Sequence, residues 1–222
     1  MSQHPYVPAD IYLPGWEPAA TSEVAMVGAF GVACVGTAVV GYNFTARYKH
    51  MGTGARLLFC WWIITGLIHI VLEGAFAAMP DFWKDTTGNM LADVWKEYSK
   101  ADSRYATGDT FVRAVETCTA VVWGPLCFVI AWGMTRGANW TLPMMIAVSM
   151  GQLYGDVLYF YTAFAEGQKH ARPEFLYYWF YFIFLNGLWI VIPSAAIAYA
   201  WVQICNGMRP VKAATTRARK TQ

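Results

Sequence analysis

The sequence predicts an all-α fold. It reads as a polytopic membrane protein whose five transmembrane helices bundle around an intramembrane cavity, with a short amphipathic segment in the long loop between helices 2 and 3. Three observations predict this. Hydrophobic residues make up 57% of the 222 and charged residues 14%, where a soluble domain carries roughly 25% charged. The charges leave long apolar windows, each able to hold the ~20 residues of a spanning helix. The windows run unbroken, unlike the alternating strands of a barrel. The same composition excludes a disordered chain and a secreted disulfide scaffold. A net charge of +2 is too small for a nucleic-acid surface.

Each span follows from charge spacing. Residues 24–46 hold no Asp, Glu, Lys or Arg, which places helix 1 at about 24–45. Between Arg56 and Asp81 the only such residue is Glu73, giving helix 2 at about 56–79. Glu116 alone interrupts Arg113 to Arg136, giving helix 3 at about 110–134. Asp156 alone interrupts Arg136 to Glu166, giving helix 4 at about 142–165. Nothing interrupts Glu174 to Arg209, giving helix 5 at about 175–204. Residues 1–208 thus form one transmembrane domain, and 209–222 a basic tail expected to lack order beyond Met208. The N-terminal segment carries Pro5, Pro8, Pro14 and Pro18 without a basic region, unlike a signal peptide. The five cysteines are scattered through apolar spans with no CxxC, so neither a disulfide framework nor a metal cluster is indicated.

Lys and Arg set the orientation. Loop 1, loop 3 and the tail together hold nine, among them Arg47, Lys49, Arg56, Arg136 and Arg209. The long loop and the last loop hold six: Lys84, Lys96, Lys100, Arg104, Lys169 and Arg172. The bias puts the C-terminus in the cytoplasm and the N-terminus on the other side. The pair Arg219–Lys220 stands where a dilysine retrieval signal would, but reads better as positive-inside tail charge.

Segment 80–109 carries ten charges in thirty residues. Within it Met90, Leu91, Val94, Trp95 and Tyr98 recur at helical spacing, while Asp93, Lys96, Glu97 and Lys100 fall elsewhere on the turn. This predicts an amphipathic helix at the interface, placed to roof the bundle.

Ionisable groups at bilayer depth cost ~2.5–3.5 kcal/mol each on insertion scales, so they point to function. His69 and Glu73 stand four apart on one face of helix 2. Glu116 has Thr119 three residues on and Arg113 three before, so an ion pair with Arg113 is the plainer alternative. Asp156, four after Gln152 and beside Gly151 and Gly155, reads as polar glue between helices. Helix 5 offers Asn186 and Trp189. The aromatic run Tyr177–Phe184 reads as lipid-facing or packing material. Converging on one apolar cavity, these groups suit acid–base chemistry without metal or cofactor. A carboxylic acid kept neutral by desolvation donates a proton and a carboxylate accepts one. An indole face steadies a transient cation. The substrate class that fits is apolar and enters from the bilayer.

The stretches HPYVP (His4–Pro8), GLIHIVLEG (Gly66–Gly74), WKEYSKADSRY (Trp95–Tyr105), ETCTAVVWGP (Glu116–Pro125), GQLYGDVLYF (Gly151–Phe160) and YWFYFIFLNGLWIVIP (Tyr178–Pro193) resemble the emopamil-binding (EXPERA) family. That family holds sterol Δ8–Δ7 isomerases and the sigma-2 receptor. The polar block is the most specific. The resemblance implies a five-helix homodimer in the endoplasmic reticulum membrane that moves the ring-B double bond of a sterol from carbons 8 and 9 to carbons 7 and 8, through a carbocation and without a cofactor. It implies catalytic roles for His69, Glu73, Glu116, Thr119, Asn186 and Trp189, and inhibition by cationic amphiphilic amine drugs that mimic the cation. In this reading His69–Glu73 protonates carbon 9, and Glu116, oriented by Thr119, steadies the cation and helps remove the carbon 7 proton. Trp189 faces the cation, and Asn186 holds a neighbouring polar group. Trp95, Tyr98 and Tyr105 are candidate substrate-binding residues, while Asp102, Arg104 and Asp109 shape the loop. The alternative functions are a non-catalytic sterol- or amine-binding protein of the sigma-2 type and, less well supported by five spans without an inverted repeat, a proton-coupled transporter.

Overall fold

A computed structural model describes residues 4–220, with side chains described through Met208; the basic side chains of the tail, including Arg219 and Lys220, lie outside the described residues. Every regular element among the described residues is helical. Helix α1 spans Glu23–Thr45 and α2 spans Thr53–Ala78. The roof helix α3 is Met90–Tyr98. Helices α4 and α5 are Thr110–Arg136 and Thr141–Ala165. The last helix, α6, runs through Leu176–Leu185 and on through Asn186–Lys220. It runs past residue 204, the expected end of helix 5, while the side chains of the tail beyond Met208 lie outside the described residues.

Four helices, α1, α2, α4 and α6 as far as Met208, are long and apolar enough to cross a membrane. Helix α5 has 25 residues, enough for a length of about 37 Å. Gln152, Asp156 and its tyrosines hold its hydropathy below that of the other four. Ser22 starts α1 by accepting the Ala25 amide at 3.3 Å. Val24, Val32, Val35, Val39 and Val40 stay uncovered on its outer side, as a lipid-facing surface requires.

Glycines let the helices close up. A Cβ on Gly66 would lie 2.9 Å from the Phe128 ring, and one on Gly124 would lie 2.7 Å from Ile70 Cγ1 and 3.1 Å from His69 Cβ. Gly151 admits the Trp123 ring in the same way. These contacts seat α2 on α4, and α4 on α5.

Three stretches are wound as π-helix: Ile68–Glu73 in α2, Thr119–Trp123 in α4 and Leu176–Leu185 in α6. The second has a local cause. Pro125 has no N–H for the carbonyl four residues back, and its ring crowds that carbonyl, so the preceding turn widens.

The roof departs from the expected interfacial helix. Asn89 caps α3 through the Leu91 amide, but the polar face of α3 is buried rather than solvated. The N-terminal segment folds over it. Asp93 Oδ2 accepts the amides of Ala20 and Thr21 at 3.1 and 2.8 Å. Lys96 Nζ donates to the Asp85 carbonyl at 2.6 Å. The Tyr6 hydroxyl donates to the Lys96 carbonyl at 3.1 Å, and burial pushes that phenol up to about 12. Arg104 pairs with Asp102 at 2.6 Å, both nearly sealed from solvent, and donates to Thr162 of α5 at 2.8 Å. Asp109 caps α4 through the Val112 amide. The polar block is therefore an internal brace, clipped to α5.

Candidate active site

The widened turn of α2 carries His69 and Glu73 side by side. His69 Nδ1 lies 2.6 Å from Glu73 Oε2, and both side chains are buried. On the other side of the ring, Gln152 of α5 places its Nε2 at 2.9 Å from His69 Nε2. An amide nitrogen only donates, so His69 Nε2 accepts, and the ring proton sits on Nδ1 facing the Glu73 carboxyl. Trp189 of α6 stacks on the imidazole, with ring centroids 5.3 Å apart and planes at 24°. Trp61 backs Trp189 at 5.0 Å.

The second cluster hangs from the roof. Tyr105 donates its hydroxyl to Glu116 Oε1 at 2.6 Å. Tyr98 donates to Asn186 Oδ1 at 3.1 Å, and the Asn186 amide donates to the Phe182 carbonyl at 2.8 Å. Trp95 stacks on Tyr105 at 5.1 Å and donates its indole N–H to the Leu72 carbonyl, one residue from Glu73. Removal from water raises the Tyr98 and Tyr105 phenols, with the Glu116 charge adding to the effect on Tyr105. Both stay protonated and keep donating.

All nine candidate residues thus fall in two adjoining clusters where α2, α4 and α6 meet under the roof. The partners differ from expectation in three places. The Thr119 hydroxyl donates to the Glu116 backbone carbonyl at 2.8 Å; Tyr105, not Thr119, holds the carboxylate. No ion pair joins Arg113 to Glu116 among the described residues; Arg113 lies instead 5.8 Å from the Phe76 ring. Trp189 faces the imidazole. The two clusters are filled by their own aromatic rings, and the large concavity described, about 920 Å³, opens elsewhere, between Arg47, His50, Phe59 and Arg136.

Gln152 is the site residue that sequence reasoning reads, with Asp156, as polar glue between helices. Its signal was its place one turn before Asp156 on the same helix, facing a span that carries a lone histidine.

A family model described as EXPERA (expanded EBP superfamily) matches residues 90–200. The chain is 40% identical over 203 residues to a probable 3-beta-hydroxysteroid-Delta(8),Delta(7)-isomerase of Arabidopsis thaliana, covering 91% of this chain and 89% of that protein. It is 39% identical over 199 residues to the 3-beta-hydroxysteroid-Delta(8),Delta(7)-isomerase of Mus musculus, covering 87% and 85%. An isomeliandiol synthase of Ailanthus altissima is 43% identical over 148 residues, 67% of this chain and 70% of that one.

Proposed function

The chain belongs to the EXPERA family, the expanded EBP superfamily, and from that premise we propose that it is a 3β-hydroxysteroid Δ8,Δ7-isomerase. The observation that carries the reading is the pairing of two separately held carboxyl groups, Glu73 on His69 and Glu116 on Tyr105, in a chain similar over most of its length to named isomerases.

The chemistry needs one proton in and one proton out. The His69–Glu73 pair, with a proton on the Glu73 carboxyl, delivers that proton to carbon 9, using the electron pair of the carbon 8–carbon 9 double bond and leaving a cation at carbon 8. The carbon 7–hydrogen pair then becomes the carbon 7–carbon 8 double bond, and its proton passes to Glu116. Glu116 also steadies the cation before that step. Thr119 fixes the backbone beneath Glu116. Trp189, stacked on His69, turns an indole face to the cation once the entering sterol parts it from Trp61. Asn186, held by Tyr98, orients a polar group beside it. Trp95, Tyr98 and Tyr105 close the chamber over the sterol, which enters from the bilayer and parts the aromatic rings that fill the site.

Helix α5 is the fifth span. It lies between two spans and its length suffices, with its polar face turned inward. The basic residues of loop 1, loop 3 and the tail put the C-terminus in the cytoplasm. The protein works as a homodimer in the endoplasmic reticulum membrane, and cationic amphiphilic amines inhibit it by occupying the place of the cation. Purified protein given an 8-ene sterol converts it to the 7-ene. Binding without conversion would instead favour a non-catalytic binding protein.

A further inference from the structure

Resting on the isomerase reading, we propose that Asp156 and Tyr159, in a polar row on α5 whose third member, Gln152, holds His69 in place, carry a proton from Glu116 back toward the His69–Glu73 pair after each turnover. Every turnover takes one proton from the donor and loads one on the acceptor. The sterol gains none overall. A second turnover therefore requires a proton to return from Glu116 to the donor.

The row has the right ends. Gln152 touches His69 at 2.9 Å. Seven residues on, the Tyr159 ring lies 6.4 Å from the Tyr105 ring, whose hydroxyl sits on Glu116. The rise between them is about 10 Å. Positions 152, 156 and 159 share one helix face.

The row also has an unusual chemistry. All three side chains are buried, yet Gln152 Oε1, Asp156 Oδ2 and the Tyr159 hydroxyl have no hydrogen-bond partner. Roughly 90% or more of buried polar groups are satisfied. Three open valences on successive turns of one face form a row that takes and gives hydrogen bonds in passing. Helix packing explains a small amide there; it does not explain an ionisable carboxyl at bilayer depth. Asp156, in the middle, is the group that can accept and release the proton.

The test compares one turnover with many. With enzyme in excess over 8-ene sterol, Asp156→Asn and Tyr159→Phe form the first 7-ene at close to the wild-type rate. At steady state both slow by roughly tenfold to a hundredfold. Equal losses in the two regimes would assign the row to structure or to the chemical step and overturn the proposal, as would undiminished steady-state turnover. Tyr159→Phe removes a single oxygen, so it decides alone if Asp156→Asn does not fold. No 7-ene from wild type in either regime would instead strike the isomerase reading itself.

Discussion

The Tyr105 hydroxyl donates to Glu116 Oε1 at 2.6 Å, so the roof outside the bundle holds an acid inside it. Hydrogen bonds to charged groups contribute about 1.5–3 kcal/mol. Tyr105→Phe keeps the stack on Trp95 but frees the carboxyl. The expected outcome is a tenfold or larger loss of turnover, by the same arithmetic, with a lower melting temperature because the carboxyl loses its donor. Normal turnover of an 8-ene sterol would show that the bond does not matter to the reaction.

Gly124 lets α4 approach His69 closely. Gly124→Ala drives a methyl into Ile70 and the His69 Cβ, and overpacking of this kind costs about 1–3 kcal/mol. We predict a lower melting temperature and depressed turnover. Gly28→Ala is the control: nothing lies within 4 Å of a Cβ there, and both measurements should stay at wild-type values.

The brace in the roof depends on a buried pair. Asp102→Ala strands Arg104 without its carboxylate, a loss of about 3–5 kcal/mol, and the protein should melt markedly earlier in detergent. Lys84→Ala breaks a pair whose side chains are 43% and 60% exposed and should leave melting unchanged. Similar melting for both variants would refute the assignment of the roof as a brace.

Trp189 stacks on the imidazole of His69. Trp189→Phe retains an aromatic face and should lose less turnover than Trp189→Ala. Equal losses would argue against any role for the ring face.

The sequence made some of this legible and hid the rest for physical reasons. The His69–Glu73 pair could be read because residues four apart meet on any helix. Tyr105–Glu116 could not: the chain turns at the positive-φ Gly108 between them, and no periodicity describes a turn. The charges of α3 read as solvated because charges usually are. That the N-terminal segment folds over Asp93 and Lys96 is a tertiary fact, carried by backbone groups of Pro18, Ala20 and Thr21 that any residue could supply. Gln152 and Asp156 read as glue because polar residues beside glycines usually serve that way. Only the contact of Gln152 with His69 gives the row its direction. The π-wound turns escaped for the same reason as the roof, since Pro125 and the neighbouring helices impose them.

The most direct test of the two-acid account is a single turnover by purified protein equilibrated in heavy water and held in excess over the 8-ene sterol, with Glu73→Gln run beside wild type. The account predicts a 7-ene product from wild type carrying one deuterium at carbon 9, and no product from a Glu73→Gln protein that melts normally. Product without deuterium, or normal turnover by Glu73→Gln, would contradict it.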